Sequence, residues 1–259
     1  MRVRIIAQTQ FHGEVASALT DGVWYPDMAG TDAANLSEFA GRACYQSWSR
    51  PNEATSTNEG YIDHIIEVGH NTVLEHGTVS IYIDEVSRSF THEMIRHRHN
   101  SYSQLSQRFV VQGKPEKGKS PFITPALFRD SELAGTILLA AWEEAMHSYD
   151  ALLGLAETIL STMTPTDQSG TAHRRKEARE AARCVLPNMT PTAIIVSGNH
   201  SAWRDFLTKR ASLHADAEIR EVAMQIFYEL EMSETNLYQD FRVMMDDRGR
   251  SYLVRDAED

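Results

Sequence analysis

The feature that most constrains the fold is the longest helical pattern in the chain, SELAGTILLAAWEEAMHSYDALLGLAETILSTM, from Ser131 to Met163. Around it, apolar residues recur at helical spacing over Asp32–Gln46, where Leu36, Phe39, Ala40 and Ala43 share a stripe. Further helices are expected over 61–70 (ending near Gly69), 87–98, 174–187 (stopped by Pro187), 199–212 and 216–241. Alternating, β-rich stretches at Val3–Thr9, Thr78–Asp84, Gln107–Gln112 and Thr192–Gly198 read as strands. Gly113–Pro121 and Thr164–Thr171 read as surface loops, and 246–259 as a loose polar tail. Strands and long helices alternate without a regular βαβ rhythm. The pattern therefore predicts an α+β fold, a mixed or antiparallel sheet surrounded by helices, in a single domain over 1–259.

Charge and cysteine usage narrow the function. The formal net charge is −11 over 259 residues, which argues against general nucleic-acid binding but leaves room for a local phosphate pocket. The two cysteines, Cys44 and Cys184, form no C-x-x-C pair, so a reducing compartment and a cytoplasmic location are expected. No stretch reaches the roughly 18 apolar residues of a membrane span, and the apolar run at the N-terminus is too short for a signal peptide. Arg makes up 20 of the 25 basic residues, and its planar fork grips phosphate or carboxylate bidentately.

Against that acidic background, RHRHNSYSQLSQRF (Arg96–Phe109) gathers three arginines, two histidines and three serines. Basic residues closing a helix are favoured by its dipole, which accounts for Arg96, His97 and Arg98. It does not account for the Ser/Gln/Arg series that follows. If that series is extended, Gln104, Ser106 and Arg108 face one way, a row of donors suited to a phosphate and a polar base edge. In the preceding helix Phe90, Glu93, Met94 and His97 share a face, and Arg96 is the local partner expected for Glu93.

Two other arginines are singled out. Trp203, Phe206, Leu207, Arg210 and His214 form one stripe, so Arg210 continues an apolar face inward. There it is either half of a structural ion pair or a fixed positive charge on a pocket floor. Arg175, Arg179 and Arg183 line one side of their helix, and Arg183, followed by Cys184, Val185 and Leu186, is the one expected to turn inward. The histidines raise a metal-hydrolase alternative. HEMIRH spaces His92 and His97 five apart, about 140° around a helix, and no metal site is expected. A non-catalytic nucleotide-binding module is a third reading.

Taken together, R-H-R followed by Ser106, with EFAGRACYQSWSRP, HIIEVGHNTVLEH, SRSFTHEMIRHRHNSYSQLSQRF, ARCVLPN and GNHSAWRDFLTKRASLHADAEIR, resembles the flavin-dependent thymidylate synthases. The resemblance implies reductive methylation of dUMP to dTMP, with carbon from 5,10-methylenetetrahydrofolate and reducing equivalents from NADPH through FAD. It implies no enzyme cysteine nucleophile, and a homotetramer whose active sites draw on more than one chain. Carried over by position, Arg210 is the catalytic residue that favours ionisation of uracil N3. Glu93, Arg96, Gln104, Ser106, Arg108, Arg183 and Arg210 match dUMP contacts. His70, Thr72, Arg96, His97, Arg98, Gln104, Asn199, His200, Ser201 and Asp205 match flavin contacts. Ser106 is a binding residue on this view, since serine is a weak nucleophile without a base. Phe109, Ser201 and Asp205 depart from residues common in the family, and Asp205 would bring negative charge to the flavin.

Overall fold

A computed structural model describes residues 1–50, 52–113, 120–163 and 168–256. In chain order the regular elements are β1 (Arg2–Gln8), α1 (Gly13–Leu19), α2 (Asp32–Tyr45), α3 (Asn58–Glu67), β2 (Thr78–Ser87), α4 (Arg88–Met94), β3 (Ser101–Gln104), α5 (Glu132–Met163), α6 (Gln168–Ala182), β4 (Pro191–Asn199), α7 (His200–Arg210), α8 (Ala217–Ser233), β5 (Phe241–Met245) and β6 (Ser251–Arg255). Four strands form one sheet in the order β1-β2-β4-β3, and β5 and β6 form an antiparallel pair. Helices and sheet are mixed, as the α+β expectation required. By internal contacts the chain divides into two compact units, 1–83 with 93–102 and 195–259, and 84–92 with 103–194.

In the first unit, α7 and α8 pack together. The stripe read from sequence is correct up to the helix end: Trp203, Phe206 and Leu207 are fully buried. Each such side chain contributes roughly 1.5–3 kcal/mol relative to exposure. On α8, Ile219, Val222, Ala223, Ile226, Phe227 and Leu230 are buried in the core of this unit. Asn199 caps α7 by accepting the Ala202 N–H at 2.8 Å, which satisfies one of the orphan amides of the first turn. The helix α3 stops two residues before Gly69, whose φ of +73° is the left-handed turn that glycine permits.

On α2 the side that is fully buried is not the aliphatic one. Leu36, Phe39, Ala40 and Ala43 are half-buried, while Glu38 and Arg42 are inside. The second unit is built on α5 and α6, which pack along one another. Among its described residues α5 buries only Trp142 and Tyr149 and leaves Leu133, Ile137, Leu155 and Ile159 exposed.

Several expectations are corrected. Residues 107–112 are a turn rather than a strand, because the Ser106 carbonyl accepts the amides of Phe109 and Val110 at 3.3 and 3.0 Å. α4 ends at Met94, so Arg96–Arg98 follow the helix instead of closing it. α7 ends at Arg210, which leaves His214 off its stripe. Thr164–Pro165–Thr166–Asp167 and residues 114–119, where loops were expected, lie outside the described residues, but 168–171 already belong to α6. The tail expected to be loose contains β6. Leu253 donates its amide to Ala211 at 2.9 Å and is itself buried.

A buried ion cluster ties that hairpin to α7. Arg204 grips Asp240 bidentately at 2.7 and 2.6 Å, and Arg255 of β6 adds a third bond at 2.9 Å. Burial would push the Asp240 carboxyl up, but the two guanidiniums overcome it and hold the group below its ordinary 3.8. A lowered carboxylate stabilises above its unfolded pKa and loses that contribution as pH falls through its folded one. Asp240→Asn should therefore cost about 1–3 kcal/mol at neutral pH, because a charge-assisted pair becomes a neutral one. In urea unfolding, the wild-type margin over the variant should shrink as the pH drops below 3.8. An unchanged margin at low pH would show that the ion cluster is not its source.

Candidate functional site

Past the end of α4 the backbone is folded into tight turns. The amides of Arg96 and His97 bond back to the carbonyls of Glu93 and Met94 at 3.2 Å each. The Tyr102 hydroxyl lies 2.8 Å from the Met94 carbonyl and 2.6 Å from that of His97, and donates to one of them. The result aims the side chains of Arg96, His97, Arg98, His99 and Asn100 at a cavity of about 370 Å3, closed on the α7 side by Ala202, Asp205, Lys209 and Arg210. The lining holds four permanently cationic side chains and one carboxylate. Such a pocket suits an anion with more than one charge.

Arg210 is the best-fixed of those cations. It is 24% exposed, and its guanidinium donates through Nη1 to Glu93 Oε2 at 2.7 Å and through Nε to His97 Nε2 at 2.9 Å. The partner expected for Glu93, Arg96, is therefore replaced by a residue more than a hundred positions away. His97 packs edge-to-face on Phe206 with ring centres 4.9 Å apart. Burial, followed by the nearby Arg210 charge, lowers His97 to about 4, so the ring is neutral at working pH. Asp205, the residue whose charge was of concern, is paired with Lys209 one turn on at 2.6 Å, which offsets it at short range.

The other flavin-matching residues are placed as follows. His70 and Thr72 are exposed at a short 3₁₀ turn, Asn71–Glu75. Ser201 and Asp205 line a neighbouring cavity of about 250 Å3 with Asn71, Arg204, Thr208 and Arg255. His200 is a correction. Its ring is fully buried, bonds Tyr238 Oη through Nδ1 at 2.9 Å, and lies where a Cβ on Gly77 would approach to 2.8 Å. Burial and then Arg204 lower it to about 4. Its side chain is a neutral core group, where the flavin match led us to expect an accessible one.

The second unit holds a separate set. Gln104 donates to Thr91 Oγ1 at 2.7 Å, which anchors it to α4. Ser106 Oγ accepts the Arg108 amide at 3.3 Å, and among the described residues no His, Asp or Glu bonds it, so nothing activates it as a nucleophile. Arg108 pairs with Glu180 at 2.5 Å. Since the strand stops at Gln104, the expected single row of Gln104, Ser106 and Arg108 is broken by the turn. Arg183, expected to turn inward, is exposed on a 3₁₀ turn, Arg183–Val185. It does stand close enough to Arg88 to oppose its charge. Arg88 is lowered by burial first and by Arg183 second. Two like charges within electrostatic reach of one another are relieved by a shared anion such as a phosphate.

Sequence reasoning missed Arg88, His99, Asn100 and Lys209. Lys209 was readable as an i, i+4 partner of Asp205. His99 and Asn100 fall inside the basic stretch itself and were readable from it, whereas Arg88 carries no local signal. Among the described residues no group of three His, Cys, Asp or Glu side chains is placed to hold a metal ion. Cys44 and Cys184 are free, exposed and outside the 370 Å3 cavity.

Comparison with known proteins identifies relatives of this sequence. The sequence model of a family described as "Thymidylate synthase complementing protein" matches residues 28–233. A protein named flavin-dependent thymidylate synthase from Mycobacterium marinum (strain ATCC BAA-535 / M) is 49% identical over 243 residues, covering 94% of this chain and 90% of that protein. The protein of the same name from Mycobacterium tuberculosis (strain ATCC 25618 / H37Rv) is likewise 49% identical over 94% and 90%. That from Mycobacterium sp. (strain JLS) is 48% identical over 94% and 91%.

Proposed function

This chain belongs to the thymidylate synthase complementing protein family, and on that premise we propose that it converts dUMP to dTMP by flavin-dependent reductive methylation. 5,10-Methylenetetrahydrofolate is the carbon donor and NADPH the reductant. The observation that carries this reading is the Arg210 guanidinium, held by Glu93 and His97 at the wall of a cavity lined by Arg96, Arg98 and Lys209. A cationic lining with one neutralised carboxylate fits the pyrophosphate of FAD, so the residues present suit that cofactor. FAD, when bound, supplies the hydride chemistry that links NADPH to the one-carbon unit.

The chain's own residues do the rest. Arg96, Arg98 and Lys209 hold negative charge at the cavity. Arg210 faces the pyrimidine and favours the ionised form at N3, which makes C5 of the uracil nucleophilic without an enzyme thiolate. The exposed, unpaired cysteines lie outside the lining and are not needed for this route. Arg88, Arg183 and Arg108 offer guanidiniums for the substrate phosphate, with Ser106 and Gln104 as neutral donors. His70, Thr72, Asn199, Ser201 and Asp205 are assigned to the flavin side.

A homotetramer with shared sites is the working form we infer. The 370 Å3 cavity is near the lower end of ligand pockets, roughly 300–1,000 Å3, so one chain encloses only part of a dinucleotide. The exposed Leu133, Ile137, Leu155 and Ile159 of α5 supply apolar surface for assembly. No helix among the described residues is long and apolar enough to cross a membrane. With two free cysteines, the cytoplasm is the assigned compartment.

Purified protein should carry FAD or take it up, with flavin absorbance, and with methylenetetrahydrofolate present should oxidise NADPH and form dTMP in a dUMP-dependent way. Specific activity should fall on dilution as the assembly dissociates. A colourless protein that takes up no added FAD would overturn the reading.

A further inference from the structure

The bond between Arg210 and His97 has a chemical consequence. The Arg210 Nε–H points at His97 Nε2, 2.9 Å away. An arginine nitrogen has no lone pair to offer, so His97 Nε2 must be the acceptor and cannot carry a proton. The neutral ring then has its hydrogen on Nδ1. That atom faces Asp205 Oδ2 at 4.0 Å, too far for a direct hydrogen bond. Protonated His97 would set an N–H against an N–H and break the contact.

We propose that His97 is a positioning residue for Arg210, acting as an uncharged acceptor that fixes the guanidinium while leaving its positive charge undiminished. The logic lies in the contrast between the two partners. Glu93 also holds Arg210, through Nη1, but its carboxylate offsets the field that Arg210 projects. A second carboxylate in the place of His97 would hold the guanidinium as firmly and cancel more of that field. A neutral imidazole gives direction without cancellation.

The surroundings keep the ring in that form. Its side chain is 9% exposed and rests edge-on against Phe206. The charged groups that face it are Arg210 and Lys209, which oppose protonation, and Asp205, which favours it and is itself paired with Lys209. Burial is the largest influence and acts with the two cations, lowering the ring to about 4. The bond to Arg210 is therefore intact through neutral pH and is lost only as the solution approaches that value.

This inference deepens the flavoenzyme reading and rests on it for the identity of the reaction. The tautomer is a property of the chain alone. Protein labelled with 15N in its histidine rings, in long-range 1H–15N correlation spectra, should show one neutral ring with its proton on Nδ1 that stays neutral from pH 8 to pH 5, and that signal should vanish in His97→Phe. Finding the proton on Nε2, or a charged ring at pH 7, overturns the proposal whatever the activity.

Two variants then separate positioning from packing. His97→Phe keeps an aromatic ring on Phe206 but has no acceptor. His97→Gln places an amide oxygen near the position of Nε2. With FAD bound, kcat for dTMP formation should drop roughly 10- to 100-fold in His97→Phe, the loss of one hydrogen bond to a charged group. His97→Gln should stay within about threefold of wild type, since it restores the acceptor. kcat is compared at saturating FAD in all three proteins, because His97 also lines the cavity assigned to the flavin. Equal kcat for wild type and His97→Phe, or a loss in both variants that follows loss of FAD, overturns the positioning role. If the wild-type protein itself fails to turn over dUMP, the proposed function falls, while the tautomer measurement still decides the contact.

Discussion

Arg210→Ala should lower dTMP formation by roughly 10²- to 10³-fold, the usual effect of deleting one preorganised donor aimed at developing negative charge, while leaving flavin bound. The second half follows from the cavity lining, which keeps Arg96, Arg98 and Lys209 after the change. The first half follows from the two bonds that fix the guanidinium, to Glu93 at 2.7 Å and to His97 at 2.9 Å. Their acceptors occupy Nη1 and Nε, so Nη2 is the nitrogen that the proposed role assigns to the pyrimidine. Arg210→Lys keeps the charge but cannot reach both acceptors with one ammonium in the same geometry, so it should recover only part of the loss. The pH dependence has a definite sign. A fixed positive charge favours the deprotonated N3, so removing it leaves ionisation to bulk hydroxide. The residual rate of Arg210→Ala should climb with pH more steeply than that of wild type. Steady-state rates with absorbance of the bound flavin test both halves. Turnover within about tenfold of wild type, or loss of flavin in proportion to loss of rate, would remove Arg210 from its assigned role.

The stripe that led to Arg210 shows what a single sequence can reveal. Trp203, Phe206 and Leu207 repeat at helical spacing, and their complete burial requires the next residue on the stripe to lie at the edge of the core. That is local information, and it was sufficient to place Arg210 at the edge of the core, where it both pairs with Glu93 and lines the cavity. The expected partner of Glu93 was wrong because helix spacing offers only neighbours such as Arg96, whereas α7 delivers Arg210 from far along the chain. The burial of the His200 ring went unread for a related reason. A polar residue beside a helix N-terminus reads as accessible, and only the fold shows the space that Gly77 leaves for its ring. Residues 107–112 have the composition of a strand, but the Ser106 side chain and carbonyl capture the amides that a strand would need. The Asp246–Arg250 turn likewise closes a hairpin in a stretch whose polar composition suggested a loose tail. Arg250 bonds Asp246 Oδ2 through Nε at 2.7 Å, and the Arg250 amide adds a bond to Oδ1 at 2.8 Å.

Glu38→Ala should be the most destabilising single change in the first unit, by about 3–5 kcal/mol, the cost of removing one member of a buried charged pair. Glu38 is 0% exposed and Arg42, one helical turn later, is 1% exposed. Glu38 Oε1 accepts Arg42 Nε at 2.7 Å, Arg50 Nε at 3.1 Å and Trp24 Nε1 at 3.2 Å, while Oε2 accepts Asn58 Nδ2 at 3.0 Å. Arg42 uses its remaining nitrogens on the carbonyls of Ser47 and Thr55 and lies 4.5 Å from the centre of the Tyr61 ring. One carboxylate thus gathers α2, the start of α3 and the loops carrying Trp24 and Arg50. Alanine would leave the Arg42 charge without its carboxylate, held only by the Ser47 and Thr55 carbonyls, and the Trp24 indole N–H without its acceptor, in a space closed to water. Glu38→Gln, which keeps the shape and one acceptor oxygen, should lose distinctly less, and the difference between the two variants isolates the charge. A double change, Glu38→Leu with Arg42→Met, removes the two fully buried ions together and leaves only Arg50, whose side chain is 25% exposed to water, without its carboxylate. It should recover much of the loss, since an uncompensated charge, not the missing pair, is the expensive state. Urea unfolding at fixed protein concentration and fixed flavin loading measures all three, because bound cofactor and assembly both add to apparent stability. If Glu38→Ala loses less than about 1 kcal/mol, or if the double change is worse than the single one, the buried pair is not what holds these segments together.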